Sequence, residues 1–191
     1  MTILVITPPA AEPVSLDEMK AHLNVTIEED DELIEAKIAA ARAHIERFAG
    51  IAMVTQTLKL TLDRFPTAAI ALPRPPLLEV VSVAYVDAQQ APQTLAGGAY
   101  TVRGVGATGY LVPPSTWPST AAGPAVVEIT FSAGYGETAS AVPEPLREAV
   151  KLLAAHLYEN REATFVGTGG ASILPLGVED LVAEFRQWGF G

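Results

Sequence analysis

The sequence predicts an α+β protein: a helical bundle with an inserted antiparallel β unit and a C-terminal helical arm. Three observations predict it. Apolar residues recur at helical spacing up to Gly50, change to alternating or β-branched runs between residues 53 and 140, and return to helical spacing afterwards. The β-like runs are short and separated by Gly- and Pro-rich turns rather than by helices, which argues against alternating βαβ units. The helical stretches also carry their own start and stop signals.

In chain order, residues 1–14 are expected to be an extension. In "SLDEMKAHL", Ser15 and Glu18 have the spacing of a capping box, and Leu16, Met19 and Leu23 share one face, so a short helix is expected. The stretch "EEDDELIEAKIAAARAHIERFAG" opens with acids that suit a helix N-terminus. It continues with Ile34, Ile38, Ala41, Ile45 and Phe48 at helical spacing and stops at Gly50. "TQTLKLTL" alternates through Leu58, Leu60 and Leu62, and "VVSVAYVD" and "AVVEITF" are β-rich. "LPRPPL", "AGGAY", "LVPPSTWPS" and "SAGYG" read as turns. Helix returns in "VPEPLREAVKLLAAHLYEN", with Pro145 suited to the first helical position and Leu146, Val150, Leu153 and Leu157 on one stripe. "FVGTGGAS" has linker composition, and beyond Pro175 a last helix is expected with Val178, Leu181, Val182, Phe185 and Trp188 on one face. The domains are then residues 15–52 with 141–162 (bundle), 53–140 (β-rich insert) and 163–191 (linker and arm).

Composition narrows the functional classes. With 191 residues, 49% of them hydrophobic, the chain has material for a sizeable core without staples. It has no cysteine, so disulfides, thiolate metal sites and cysteine nucleophiles are excluded. The N-terminus has no basic start, and no stretch approaches the roughly 18 apolar residues of a membrane span, so a soluble, unexported protein is expected. Twelve Lys and Arg against 22 Asp and Glu give a formal charge of −10 and supply no basic run to displace phosphate counterions. DNA passing over such a surface fits; gripping DNA does not.

The motifs that resemble chemistry have plainer readings. "GVGATG" (Gly104, Gly106, Gly109) matches the dinucleotide pattern, but Tyr110, Leu111, Val112 and two prolines follow it where a helix N-terminus is required, so a hairpin is expected. Glu28 to Glu32 lack the alternating ligands and central glycine of a calcium loop and read as solvated acids at a helix start. His156, Glu159, Asn160 and Glu162 cluster at a helix end, yet the spacing is not H-E-x-x-H, and packing and capping are expected. His22 and His44 have no partners at informative spacing. No catalytic residue, metal site or cofactor is expected.

Six segments, in this order, carry a resemblance: "SLDEMKAHLNV", "DDELIEAKIAAARAHIERFAG", "LPRPPLLEVVSVAYVD", "STWPS", "FSAGYG" and "VPEPLREAVKLLAAHLYENRE". From Val14 to Glu162, and more faintly over "LPLGVEDLVAEFRQW", the chain resembles the head–tail connector (adaptor, or head-completion) proteins of long-tailed bacteriophages and phage-like gene-transfer particles. The resemblance implies a virion structural protein, made in the bacterial cytoplasm and located in the particle neck. It implies a homo-oligomeric ring, usually a dodecamer, between the portal protein and a tail-side stopper or terminator protein, through which DNA passes without tight binding and with no membrane involved. Carried over, the bundle core comprises Leu23, Ile34, Ile38, Ile45, Leu146, Leu153 and Leu157. The portal-docking arm runs from Leu174 to Gly191 and presents Leu181, Phe185, Trp188 and Phe190. The competing readings are a nucleic-acid packaging factor, opposed by the charge, and a small dinucleotide-binding oxidoreductase, opposed by the missing helix after the glycines.

Overall fold

Alternation does produce strands between Thr55 and Tyr135, and a segment expected to be an extension joins them. The computed structural model describes residues 1–160 and 176–187. It is a mixed α+β fold in two units, Met1–Ala10 with Thr55–Tyr135, and Ala11–Val54 with Gly136–Gly191.

The first unit holds two antiparallel sheets. One has five strands in the order β1 (Thr2–Thr7), β2 (Gln56–Leu62), β8 (Val127–Ala133), β4 (Leu77–Val86) and β5 (Pro92–Thr94); the other has the order β3 (Ile70–Leu72), β7 (Gly109–Val112), β6 (Thr101–Arg103). Register explains the alternation. Leu58 lies opposite Phe131 and Leu60 opposite Ile129, and all four are buried. Lys59 and Glu128 point to the other face and form an ion pair at 3.0 Å. The first fourteen residues are therefore corrected: Thr2–Thr7 form an edge strand in register with β2, Ile3 opposite Leu60 and Val5 opposite Leu58. "TILVIT" is rich in β-branched residues, and the free edge of β2 offers it a ladder.

The second unit holds four α-helices among the described residues: α1 (Leu16–Leu23), α2 (Asp31–Ala49), α3 (Glu144–Glu159) and α4 (Leu176–Val182). The capping box forms as the Ser15 and Glu18 spacing predicts. α2 ends at Gly50, whose φ of 71° is the left-handed conformation that glycine adopts without a Cβ penalty. α2 packs on α3, α3 on α4, and α1 touches both α2 and α3. Of the expected core residues, Ile34, Ile38, Ile45, Leu146 and Leu153 are buried. Leu23 and Leu157 are only half-buried, because each lies in the last turn of its helix, where neighbours on one side run out.

Replacing Ile45, which is fully buried, by alanine should cost about 2–5 kcal/mol in equilibrium unfolding of the full chain. Leu152→Ala, at a position 37% exposed on the same helical unit, should stay within about 0.5 kcal/mol. An unchanged midpoint for Ile45→Ala would place the core elsewhere.

Candidate functional site

Two arginines organise the helical unit. Arg147 on α3 donates from Nε to the Pro13 carbonyl at 2.9 Å, from Nη1 to Glu144 at 2.8 Å, and from Nη2 to Glu18 Oε1. The other oxygen of Glu18 accepts the Ser15 backbone N–H at 3.0 Å, so one carboxylate caps α1 and holds α3 at once. The Ser15 N–H, and then Arg147, hold the Glu18 carboxyl below the ordinary carboxylate range. Arg42 on α2 donates to Glu12 at 2.7 Å and to Glu46 at 2.8 Å. Glu46 is 2% exposed, and its second oxygen accepts the Met53 N–H at 2.8 Å, so the buried charge is fully engaged. Glu12 and Pro13 are thus each gripped by one guanidinium.

Beside this segment lies an open groove of ≈ 700 Å³. Its walls include Ala11, Ala36, Ala39 and Ala139, with the exposed carboxylates of Glu32 and Glu35 at the rim. Small apolar groups and acids suit contact with another polypeptide.

The residues singled out in the sequence are mostly employed in holding the fold. "GVGATG" is the turn between β6 and β7, with Gly104 at φ 74° and a Cβ there only 2.1 Å from the Thr108 carbonyl oxygen; no helix follows it. Asp30 and Asp31, expected to be solvated, have partners: Tyr158 donates to Asp30 and Lys20 to Asp31, tying the start of α2 to α3 and α1. Asn160 Nδ2 donates to the His156 carbonyl at 2.9 Å and lies 3.2 Å from its ring nitrogen, an arrangement that closes the end of α3. Burial, and then the charge of Arg47, push the His44 pKa down. His22 and Glu159 are exposed. Among the described residues, no three of His, Cys, Asp and Glu are grouped as a metal site would need, and no helix is long and apolar enough to cross a membrane.

The expected arm divides at Gln187. Val178 and Val182 are buried, 1% and 0% exposed, and α4 packs on α3. Leu181 and Phe185 are half-buried. Past α4, Arg186 lies 4.7 Å over the Phe48 ring, and the Gln187 N–H bonds at 2.8 Å to Ala49 O, a carbonyl in the last turn of α2. The segment up to Gln187 is therefore held by its own unit, a correction to an arm free from Leu174 onward. The amphipathic spacing was legible, but it does not say whose core the stripe enters. Arg161, Glu162, the "FVGTGGAS" linker, Leu174, Trp188 and Phe190 lie outside the described residues.

Sequence reasoning missed the arginine clamps and the partition of charge. The first unit has four acids (Asp63, Glu79, Asp87, Glu128) and four bases (Lys59, Arg64, Arg74, Arg103), so the whole formal charge of −10 belongs to the sequence of the second. That partition is in the sequence, but it shows only once the unit boundaries are known. The Arg147 clamp joins residues 129 and 134 positions apart and the Arg42–Glu12 pair spans 30, so no local pattern announces these contacts.

A family model for head completion proteins matches residues 12–176. Among curated proteins none matches the sequence. Three similar solved chains belong to the neck of an empty GTA particle computed with C6 symmetry (26% identity, TM-score 0.81), the virion of a native gene transfer agent (GTA) particle (25%, 0.79) and the neck of a native GTA particle computed with C12 symmetry (28%, 0.79). Each comparison covers 100% of this chain and 99% of the other.

The Glu18 linkage gives a pH test. A carboxyl whose pKa is lowered by folding stabilises the fold above its unfolded pKa, and that contribution is lost as pH falls through the folded value. Glu18→Gln should therefore be less stable than the parent at neutral pH, and the gap should close in the acid range. A gap of constant size across an acid series of unfolding curves would exclude Glu18 ionisation as its source.

Proposed function

The chain belongs to the head completion protein family, and from that premise we propose how it acts as a structural head–tail connector in the neck of a phage or phage-like particle. It forms a homo-oligomeric ring between portal and tail and continues the DNA channel. The observation that carries this reading is likeness along the whole chain to neck chains of gene-transfer particles, one of them computed with C12 symmetry, which supports twelve copies. In a cyclic ring each interface is heterologous, so two different surfaces of the chain meet at every junction.

The unequal charge supports a division of labour. The acidic helical unit faces the channel, where it repels the phosphate backbone and lets DNA slide without tight binding, while the neutral β unit meets protein. On the tail side the ring receives a stopper or terminator protein. On the head side it receives the portal. Because residues 176–187 are held at home, portal docking is assigned to Trp188 and Phe190 as anchors, with the half-buried Leu181 and Phe185 contributing their exposed sides. No catalytic step belongs to this role.

Each large aromatic buried in a partner contributes about 1.5–3 kcal/mol before ordering costs, and repetition around a ring converts modest affinity into a durable joint. The double variant Trp188→Ala/Phe190→Ala should unfold within about 0.5 kcal/mol of the parent yet fail to join heads to tails. Truncation before Leu176 should cost a few kcal/mol as well, because it strips Val178 and Val182 from α3. Normal joining by the double variant would contradict docking through the final aromatics.

A further inference from the structure

We propose that β1 is exchanged between neighbouring copies in the ring, Thr2–Thr7 of one chain completing the five-stranded sheet of the next. The inference rests on the ring reading above. It identifies the sheet edge of β2 as one subunit interface and the N-terminal strand of a second copy as its occupant.

The chain's own connectivity motivates it. Residues 1–10 belong with the β unit, but the residues that follow belong to the helical unit, where Arg42 and Arg147 grip Glu12 and Pro13. Only Pro8, Pro9 and Ala10 connect β1 to the unit that begins at Ala11. Consecutive prolines restrict Thr7 and Pro8 to extended conformations, and the chain bends at Ala10 and Ala11, so the connection is a short hinge with few conformations. Short, stiff hinges favour exchange of an element over its return to the parent chain. The strand also lies outside the residues matched by the family model, which begin at residue 12.

The strand itself is poorly covered where it stands. Leu4, Val5 and Ile6 are 55%, 48% and 50% exposed, and they leave contiguous apolar surface on both faces of an edge strand. The opposite edge of the same sheet is protected. There the Leu95 N–H donates to the Val83 carbonyl of β4 and the Ala91 carbonyl accepts from the Asp87 N–H just past β4, so alternation turns Pro92 outward with no N–H to offer, and every residue of β5 is polar or proline. The β2 edge has no such block and needs an extended strand of matching register, which β1 of either copy supplies through identical contacts. A ring places the neighbour's β1 at high effective concentration, and the neighbouring body brings cover for the exposed side chains.

The absence of cysteine makes the test clean. Leu4 and Lys59 are register partners on the outer face, as are Thr2 and Thr61 at the strand end. The variant Leu4→Cys/Lys59→Cys, assembled in particles and oxidised, should run on a non-reducing denaturing gel as a ladder of covalently linked chains. If β1 pairs within its own chain, the disulfide closes internally, and oxidised particles give monomer bands only; that result overturns the exchange. Thr2→Cys/Thr61→Cys, which leaves the Lys59–Glu128 pair in place, repeats the measurement should the first variant assemble poorly. Copy number of the unsubstituted chain, read by averaged imaging of its particles, reports on the ring alone, so monomer bands from occupied rings reject the exchange without rejecting the connector.

Discussion

The packing of α2 on α3 is the constraint on which the rest depends. These helices lie on opposite sides of the long excursion from Thr55 to Tyr135, and their apolar stripes join the two halves of the helical unit. Loop-closure entropy grows only slowly with loop length, so a seam that buries Ile34, Ile38, Ala41 and Ile45 with Leu146, Ala149, Val150 and Leu153 can hold a whole β unit between its halves. Everything attached to the seam inherits its position. Arg42 and Arg147 project from it to fix the segment before α1, and α4 returns to it through Val178 and Val182.

Electrostatics divides the molecule as clearly as packing does. The helical unit engages many of its acids with its own bases: Glu18 and Glu144 with Arg147, Glu12 and Glu46 with Arg42, Asp31 with Lys20. Its sequence still carries the full net charge of −10. The β unit balances its charges and places apolar side chains on a free edge. An excess of one sign is suited to repelling a polyanion, and a neutral surface with an open strand edge to meeting protein. A connector needs both surfaces on one chain.

Much of the fold was legible because the signals were local. The Ser15/Glu18 box, the stop at Gly50 and the stripe through Ile34, Ile38 and Ile45 each state a helix within a few turns, and the alternating leucines of β2 state a strand. What escaped depends on distant partners. β3 and β5 have three residues each and exist only because a neighbour pairs with them. β1 carries a β-rich hexamer, but the prolines after it and its distance from β2 hid the pairing. α4 showed its amphipathic face without showing that α3 would cover it. Of the candidate sites, the glycine turn and the cap at His156 and Asn160 were readable from spacing. Asp30 and Asp31 were not, since Tyr158 and Lys20 lie too far along the chain for a local rule. Family resemblance supplied the functional reading, because no single residue pattern in the sequence announces a connector; the order and spacing of several segments do.

This chain is a repeated building block of the particle neck. Averaged imaging of purified particles in which the chain bears a small electron-dense tag measures position and copy number together. Density is expected in a closed ring between portal and tail, with about twelve tags around the channel, as the C12 symmetry of the similar neck suggests. Tags at the tail tip, inside the head, or as a single copy per particle would contradict it.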